Sequence, residues 1–258
     1  MSSDLAPWTP YLMTGALVFF RVAGFMLIAP VLSSRSIPLP LRASVSVLLT
    51  VLLTPIVTPA PEELVIGPFV IMRELFVGFG LGLGAAVLIS AAELAGDVLA
   101  IQTGLSGGTV LDPVTGQGTG VLTQLLGLSA LLLLIATDGH LVMVEAFARS
   151  FETVPVGDQM WLDRGLRFLL QTMGLLFTRG LIFAAPIVAA VLVGYLALGV
   201  LARASPQLNM LAVAFPLQIG LGLLALSIAL PLAATFYGGW PVLITEWTSG
   251  YLTLLRGG

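Results

Sequence analysis

Apolar runs long enough to cross a bilayer fill most of this 258-residue chain and leave little room for any other kind of fold. Hydrophobic residues make up 58% of the sequence and charged residues only 9%, whereas roughly a quarter of a soluble domain is charged. A transmembrane helix needs about 20 mostly apolar residues, because the bilayer core offers no water to an irregular backbone. The sequence therefore predicts an all-α integral membrane protein.

Six of these runs span a bilayer or approach that length, and a shorter piece follows them. The runs cover residues 11–32, 43–57, 69–92, 121–137, 168–201 and 208–236, and the shorter piece covers 241–255. Pro186, Pro216 and Pro231 lie inside the last two long runs, so we expect about six long, partly broken helices. The shorter piece contains Trp, which suits a helix at the membrane interface as well as one that spans.

Reactive side chains are scarce in this chain. There is no Cys and one His, His140, which excludes thiolate chemistry and multi-histidine metal sites. There is also no Lys, so the phosphate-binding pattern GxxxxGK[ST] is absent, and a net charge of −3 gives no reason to expect nucleic acid. We therefore expect no enzymatic activity, no cofactor and no metal, and we interpret His140 as a packed or interfacial residue.

The distribution of arginine predicts an orientation in the membrane. Arg35 and Arg42 lie between the first two runs and Arg203 lies between the last two, which favours the cytoplasmic side for both breaks. The acidic turn at Glu62 and Glu63 then faces outward. Three other arginines do not fit this scheme: Arg149, Arg164 and Arg167.

Six charged residues lie inside the apolar runs or at their edges, where an unpaired charge costs several kcal/mol. They are Arg21, Arg73, Glu74, Glu93, Asp97 and Arg179. Glu93 and Asp97 are four residues apart and share a helix face, whereas Arg73 and Glu74 are adjacent and point in different directions. These charges can line a substrate or proton pathway, pair with other subunits, or lie on helices outside lipid. Pairing within the chain and snorkelling near a helix end are the simpler explanations.

Glycines recur at a helical spacing in the third run. Gly78, Gly80, Gly82 and Gly84 form two overlapping GxxxG pairs, and small residues at this spacing let helix backbones approach closely in lipid. Spacing alone does not separate packing within the chain, the simpler interpretation, from a contact between subunits.

The segment between the third and fourth runs, residues 100–120, is rich in Gly and Thr and contains Asp112-Pro113. Such a stretch does not hold a regular helix, because Gly is entropically costly there and Pro removes a hydrogen-bond donor. Irregular backbone at membrane depth is tolerated only where it is buried in protein or lines a water-filled cavity. The residues alone thus leave a surface loop, which they favour, or a pore element.

Several short segments, in order along the chain, resemble the FliR family of flagellar export-gate proteins. They are RVAG at 21–24, IPLPLR at 37–42, GDVLAIQTGLS at 96–106, LDP at 111–113, DGHL at 138–141 and LGVLARASPQLN at 198–209. Each segment alone is weak, but together they extend over almost the whole chain. Asp138 stands where the family often has Asn.

The resemblance implies a fusion of two folds, a FliP-like helical part at residues 1–165 and a FliQ-like helical hairpin at 166–258. It implies a core subunit of the flagellar type III export gate, which forms with FliP and FliQ the channel that unfolded flagellar proteins take across the inner membrane. An FlhB-like subunit would bind at the cytoplasmic side of this assembly in the flagellar basal body. The alternatives are a homologous gate subunit of a virulence injectisome and, in a different class, a stand-alone small-solute transporter.

The resemblance also assigns roles to two loops. Residues 104–117 resemble a plug inside the closed pore, which raises the pore-element interpretation above the surface loop. The plug residues are Gly104, Leu105, Ser106, Gly107, Gly108, Thr109, Val110, Leu111, Asp112 and Pro113. The tip of the FliQ-like hairpin would face the cytoplasm and contact the FlhB-like subunit, and comprises Arg203, Ser205, Pro206, Gln207 and Asn209.

Overall fold

The structure, a computed structural model, describes residues 9–33, 37–61, 64–104, 120–204 and 210–257, and these residues form helices and connecting turns without a strand. The helices are α1 (Thr9–Ile28), α2 (Leu39–Leu53), α3 (Pro68–Gln102), α4 (Val121–Ala136), α5 (Gly139–Thr153), α6 (Leu162–Ala204), α7 (Met210–Gly238) and α8 (Trp240–Arg256). The predicted all-α class is therefore confirmed.

The number of helices differs from the prediction, because the described residues hold eight helices rather than about six long ones. The sequence did not predict α5, whose core residues Met143, Phe147 and Phe151 recur every four positions. The piece at 241–255 is part of a regular helix, α8, with Ile244 and Tyr251 buried. Both helices are amphipathic, so they lack the uniform hydropathy that marks a span.

The long helices also extend further than the apolar runs indicate. Helix α3 continues ten residues past the predicted end at 92, because Ala95 and Leu99 stay buried while charged residues occupy its exposed face. Gly104, with φ of 72°, follows the end of this helix in the left-handed conformation that commonly terminates helices. Helix α6 runs through Pro186 and α7 through its two prolines, so the expected breaks are absent from these described helices.

Three described helices are long and apolar enough to cross a membrane: α1 from Pro10, α3 and α6. The number rises to four if α4 and α5 together form one broken span. Asp138 separates those two helices and has φ of 58°, a conformation uncommon outside glycine. These lengths agree with a membrane protein.

The chain divides into two compact units. Unit 1 comprises residues 1–87, 137–173 and 241–258, and unit 2 comprises 88–136 and 174–240. In unit 1, α1 and α5 pack through aromatic rings: Phe25 stacks on Phe147 at a centroid distance of 4.7 Å, and Phe147 meets the edge of Phe151 at 5.4 Å. The predicted boundary at residue 165 separates a FliP-like part from a FliQ-like part. The two compact units do not test that boundary, so it stays a prediction.

In unit 2, the C-terminal part of α3 packs antiparallel to α4. A Cβ on Gly127 of α4 would lie 2.9 Å from Cγ of Glu93, and Thr123 of α4 donates a hydrogen bond to Asp97. Near the end of α3, the carbonyl oxygen of Gln102 accepts hydrogen bonds from the Tyr195 hydroxyl at 2.6 Å and the Gln218 amide at 3.0 Å. These two bonds connect α3 to α6 and α7.

Candidate functional site

The face of α3 that carries Gly78 and Gly82 contacts the backbone of α1 within unit 1. A Cβ on Gly78 would overlap the carbonyl oxygen of Arg21, and a Cβ on Gly24 would overlap the carbonyl oxygen of Leu75. One turn further along α3, a Cβ on Gly82 would lie 3.0 Å from the nitrogen of Ala29. The absent side chains thus permit a backbone-to-backbone approach that any larger residue would prevent.

The opposite face of α3 receives aromatic side chains of α8. Cβ atoms on Gly80 and Gly84 would overlap the rings of Tyr251 and Trp247 respectively. The Tyr251 hydroxyl donates a hydrogen bond of 2.9 Å to the carbonyl oxygen of Phe76 on α3. Burial raises the pKa of this hydroxyl above its ordinary value, so it stays protonated and remains a donor. The four glycines therefore contact two different helices of the same chain.

A buried ion pair lies on the glycine face that meets α1. Nε of Arg21 is 2.7 Å from Oε2 of Glu74, and the two side chains are 0% and 1% exposed. Nη1 of Arg21 also donates to the carbonyl oxygens of Ser150 at 3.1 Å and Val154 at 2.8 Å. These carbonyls belong to the last turn and the C-cap of α5, where a positive charge is favourable.

The same charges hold the connector between α5 and α6. Oε1 of Glu74 accepts a hydrogen bond of 2.9 Å from the backbone nitrogen of Gly157, whose φ is 78°. The neighbouring Arg73 donates to the carbonyl oxygen of Asp158. We call the set of Arg21, Arg73 and Glu74 the charge clamp, because it joins α1, α3, the end of α5 and this connector. Its polar contacts serve to position helices.

The other predicted intramembrane charges are placed differently. Glu93 and Asp97 share a face of α3, as their spacing predicts, and both are exposed in unit 2. Asp97 accepts a hydrogen bond from Thr123, whereas Glu93 pairs with no cation among the described residues. Arg179 is exposed on α6 and likewise forms no ion pair within the part of the chain that the structure describes.

Most of the two predicted loops lies outside the described residues. Of the plug, only Gly104 is described, and it ends α3; of the hairpin tip, only Arg203 is described, and it is exposed in the last turn of α6. The following predicted residues fall outside the described ranges: Leu105, Ser106, Gly107, Gly108, Thr109, Val110, Leu111, Asp112, Pro113, Ser205, Pro206, Gln207 and Asn209.

His140 lies beside a small apolar cavity of about 100 Å³ lined by Phe25, Leu32 and Met143. Its Nδ1 atom is buried without a hydrogen-bond partner in the described part of the chain. In the ranges that the structure describes, no group of three or more His, Asp and Glu residues could hold a metal ion.

Sequence reasoning did not identify the partner of Arg21. Three carboxylates lie within or at the edge of the third apolar run, Glu74, Glu93 and Asp97, and spacing along the chain does not choose among them. The available signal was the helical register of α3, which places Glu74 on the same face as Gly78 and Gly82. A charged residue in register with a GxxxG pair indicates that the helix meeting the glycines also carries the counter-charge.

Long apolar helices, glycine-mediated packing and a charge clamp that positions helices define a multi-helical membrane protein. The sequence profile described as bacterial export proteins, family 1, matches residues 12–240, and the chain belongs to this family.

Curated relatives support the same assignment. Flagellar biosynthetic protein FliR of Pectobacterium carotovorum subsp. carotovorum is 33% identical over 220 residues, which is 84% of each chain. FliR of Escherichia coli (strain K12) is 30% identical over 219 residues, again 84% of each chain. FliR of Bacillus subtilis (strain 168) is 29% identical over 220 residues, 83% of this chain and 85% of that protein. The resemblance to the FliR family is confirmed, and the chain is a membrane component of the flagellar export apparatus that works with other export components.

Proposed function

We propose that this chain is a core subunit of the flagellar type III export gate, which forms with FliP-like and FliQ-like subunits the channel for unfolded flagellar proteins. The channel crosses the bacterial inner membrane within the flagellar basal body, and the chain acts in it as a conduit and not as an enzyme. The family match over residues 12–240 carries this proposal, because it includes both predicted parts of the chain. The long apolar helices support the membrane location.

Within this proposal, residues 1–165 form the FliP-like part and residues 166–258 the FliQ-like part. Helices α6 and α7 are the two arms of the FliQ-like hairpin, and the exposed Arg203 is the first residue of its tip. An arginine at such a turn favours the cytoplasmic side, where an FlhB-like subunit would bind.

Site-directed labelling tests this orientation. The chain has no Cys, so a Gln207→Cys variant carries one thiol. An impermeant thiol reagent should modify it from the cytoplasmic side only. Labelling from the outer side would contradict the orientation and the proposed contact with the FlhB-like subunit.

Residues 104–117 are proposed as the plug of the closed channel. Helices α3 and α4 are antiparallel, so the end of α3 and the start of α4 lie at the same end of the helix pair. The segment is rich in Gly, Ser and Thr, and Asp112, which precedes Pro113, is its single charged residue, so its composition disfavours a regular helix. Such backbone is suited to fill a pore inside a protein assembly.

Deletion of residues 106–109 tests the plug. The assembled gate should then conduct ions after reconstitution, whereas a control that replaces the same four residues with Gly-Ser-Gly-Ser should remain closed. A deleted gate that assembles and stays as tight as the wild type would show that these residues do not occlude the pore.

Co-purification tests the assembly itself. A tagged chain, expressed with the other export components, should retain FliP-like and FliQ-like subunits, identified by mass. A lone monodisperse protein would favour the stand-alone transporter. The injectisome alternative is not favoured, because the relatives described above carry flagellar names.

A further inference from the structure

The start of α6 meets the end of α8 in unit 1, and an aromatic side chain marks the junction. The backbone nitrogen of Trp161 donates a hydrogen bond of 2.9 Å to the carbonyl oxygen of Leu255. The indole lies over Gly257, where a Cβ would lie 2.5 Å from its Nε1 atom. Trp161 nevertheless remains 54% exposed, which is unusual for so large an apolar surface in a well-packed junction.

One arginine contacts this indole, and two more lie near the helix ends that meet at this junction. The guanidinium of Arg164 lies 4.8 Å from the centroid of the Trp161 ring, an arrangement that orients both side chains. Arg167 and Arg256 are exposed, and Arg256 directly precedes the glycine beneath the indole. Asp163 is the one acidic partner among the described residues here, at 3.5 Å from Arg167. A chain of net charge −3 therefore concentrates three of its ten Lys and Arg residues at one junction.

An apolar surface adjoins these arginines. Leu166 and Leu170 are 50% and 63% exposed on the first turns of α6. The 43 residues of α6 extend about 64 Å, roughly twice the ~30 Å of the hydrocarbon core, so part of the helix lies beyond that core. An exposed Trp, neighbouring arginines and exposed leucines are the composition found where helices enter the headgroup region.

We propose that Trp161, Arg164, Arg167 and Arg256, the basic aromatic patch, bind the headgroup phosphate of an anionic phospholipid at the membrane surface. The guanidinium groups contact the phosphate, the indole lies at headgroup level, and the leucines contact the upper acyl chain. An acidic protein segment would satisfy the arginines but would leave Leu166 and Leu170 without an apolar partner. The two exposed leucines therefore favour lipid over peptide.

Lipid binding to the full-length chain tests the proposal. The chain is purified in a neutral detergent, and bound phosphatidylglycerol and phosphatidylcholine are counted by native mass spectrometry across a lipid titration. Phosphatidylglycerol should bind saturably and more tightly than phosphatidylcholine. Each of Arg167→Gln and Arg256→Gln should weaken it about fivefold, because each arginine near an anionic surface contributes about 1 kcal/mol. The double variant should weaken it about 25-fold, and unchanged thermal midpoints without lipid show that both variants fold.

Arg149→Gln is the matched control, because Arg149 is an exposed arginine of unit 1 that pairs with Glu145 on its own helix and is not one of the four patch residues. It should leave phosphatidylglycerol binding unchanged, and inorganic phosphate at millimolar concentration should not compete. Equal binding by the wild type and the double variant would overturn the proposal. Competition by free phosphate would also overturn the proposal. The same holds for a double variant that still binds the lipid but no longer co-purifies with an acidic subunit.

Discussion

The two units differ in whether their charged side chains are buried and paired or exposed and unpaired among the described residues. In unit 1, Arg21 and Glu74 are buried together as an ion pair, and backbone groups of α5 and its connector form further hydrogen bonds with both side chains. In unit 2, Glu93 and Asp97 lie exposed one turn apart on the same helix, α3, without an ion pair in the described residues. One apolar helix therefore carries both a carboxylate with a buried cationic partner and two carboxylates that no cation of the described residues neutralises.

This difference suggests that the buried charges stabilise the fold of the chain, whereas the exposed ones are free to contact other subunits. A buried charge that loses its partner destabilises the fold of the chain itself, because desolvation of the remaining charge is uncompensated. Exposed carboxylates contribute little to that fold and are available to water or to a neighbouring subunit. We therefore expect substitutions in the charge clamp to affect the isolated chain strongly, and substitutions at Glu93 to affect it weakly.

The largest effect is expected at Arg21. Arg21→Met leaves Glu74 buried without a cation and removes donors from two carbonyls of α5, so unfolding should become easier by about 3–5 kcal/mol. Equilibrium unfolding in mixed detergent micelles measures this change. The control is Arg149→Gln, which breaks the exposed pair with Glu145 and should cost at most about 1 kcal/mol. Comparable losses in the two variants would contradict a special role for the buried pair.

Glycine-to-alanine substitutions should show the next largest effect on the free energy of unfolding, which should fall at one helical position and rise at another. Gly78→Ala places a methyl group against the backbone of α1 and should destabilise by about 1–3 kcal/mol. Gly174 of α6 has no atom within 4 Å of an added Cβ, so Gly174→Ala should stabilise by up to about 1 kcal/mol through helix propensity. The same unfolding assay compares them. Equal shifts in the two variants would show that α1 and α3 can move apart at little cost.

The sequence predicts the helical class because uniform hydropathy needs no knowledge of contacts. It misses α5 because an amphipathic helix is recognised by the periodicity of residues such as Met143, Phe147 and Phe151 rather than by hydropathy. The hydrophobic run is also shorter than α3, because Glu93 and Asp97 end the run but do not end the helix. Hydropathy thus locates the spans but not their ends.

The site was predictable only in part. Helical register places Gly78 and Gly82 on one face of α3 and Gly80 and Gly84 on nearly the opposite face. Which helix meets each face depends on contacts between residues far apart in the chain, such as Tyr251 with Gly80. Pairing of Arg21 with Glu74 is a contact of the same kind, over 53 positions. The sequence pattern therefore predicts which residues share a face of α3, but the helix that contacts each face is determined by tertiary packing.

The tyrosine on the second glycine face should have a smaller effect. Tyr251→Phe keeps the ring against Gly80 and removes only the hydrogen bond to the carbonyl oxygen of Phe76. Unfolding should become easier by about 1 kcal/mol, the usual net value of a buried hydrogen bond. Tyr11→Phe, an exposed tyrosine of the same unit, serves as the control and should change nothing. A loss above about 3 kcal/mol would mean that the hydroxyl, rather than the ring, determines the α3–α8 contact.

The smallest effect is expected at Glu93, and its sign tests the contrast between the units. Glu93→Gln removes the repulsion between two carboxylates one turn apart and should stabilise the isolated chain by about 0.2–0.5 kcal/mol. Asp97→Asn is the matched comparison: it relieves the same repulsion but weakens the hydrogen bond from Thr123, so its net change should be less favourable. Unfolding in mixed micelles at low ionic strength gives both values, since salt would screen the repulsion. If Glu93→Gln instead destabilises the chain by more than about 2 kcal/mol, the carboxylate contributes to the fold as Glu74 does, and the distinction between the two ends of α3 fails.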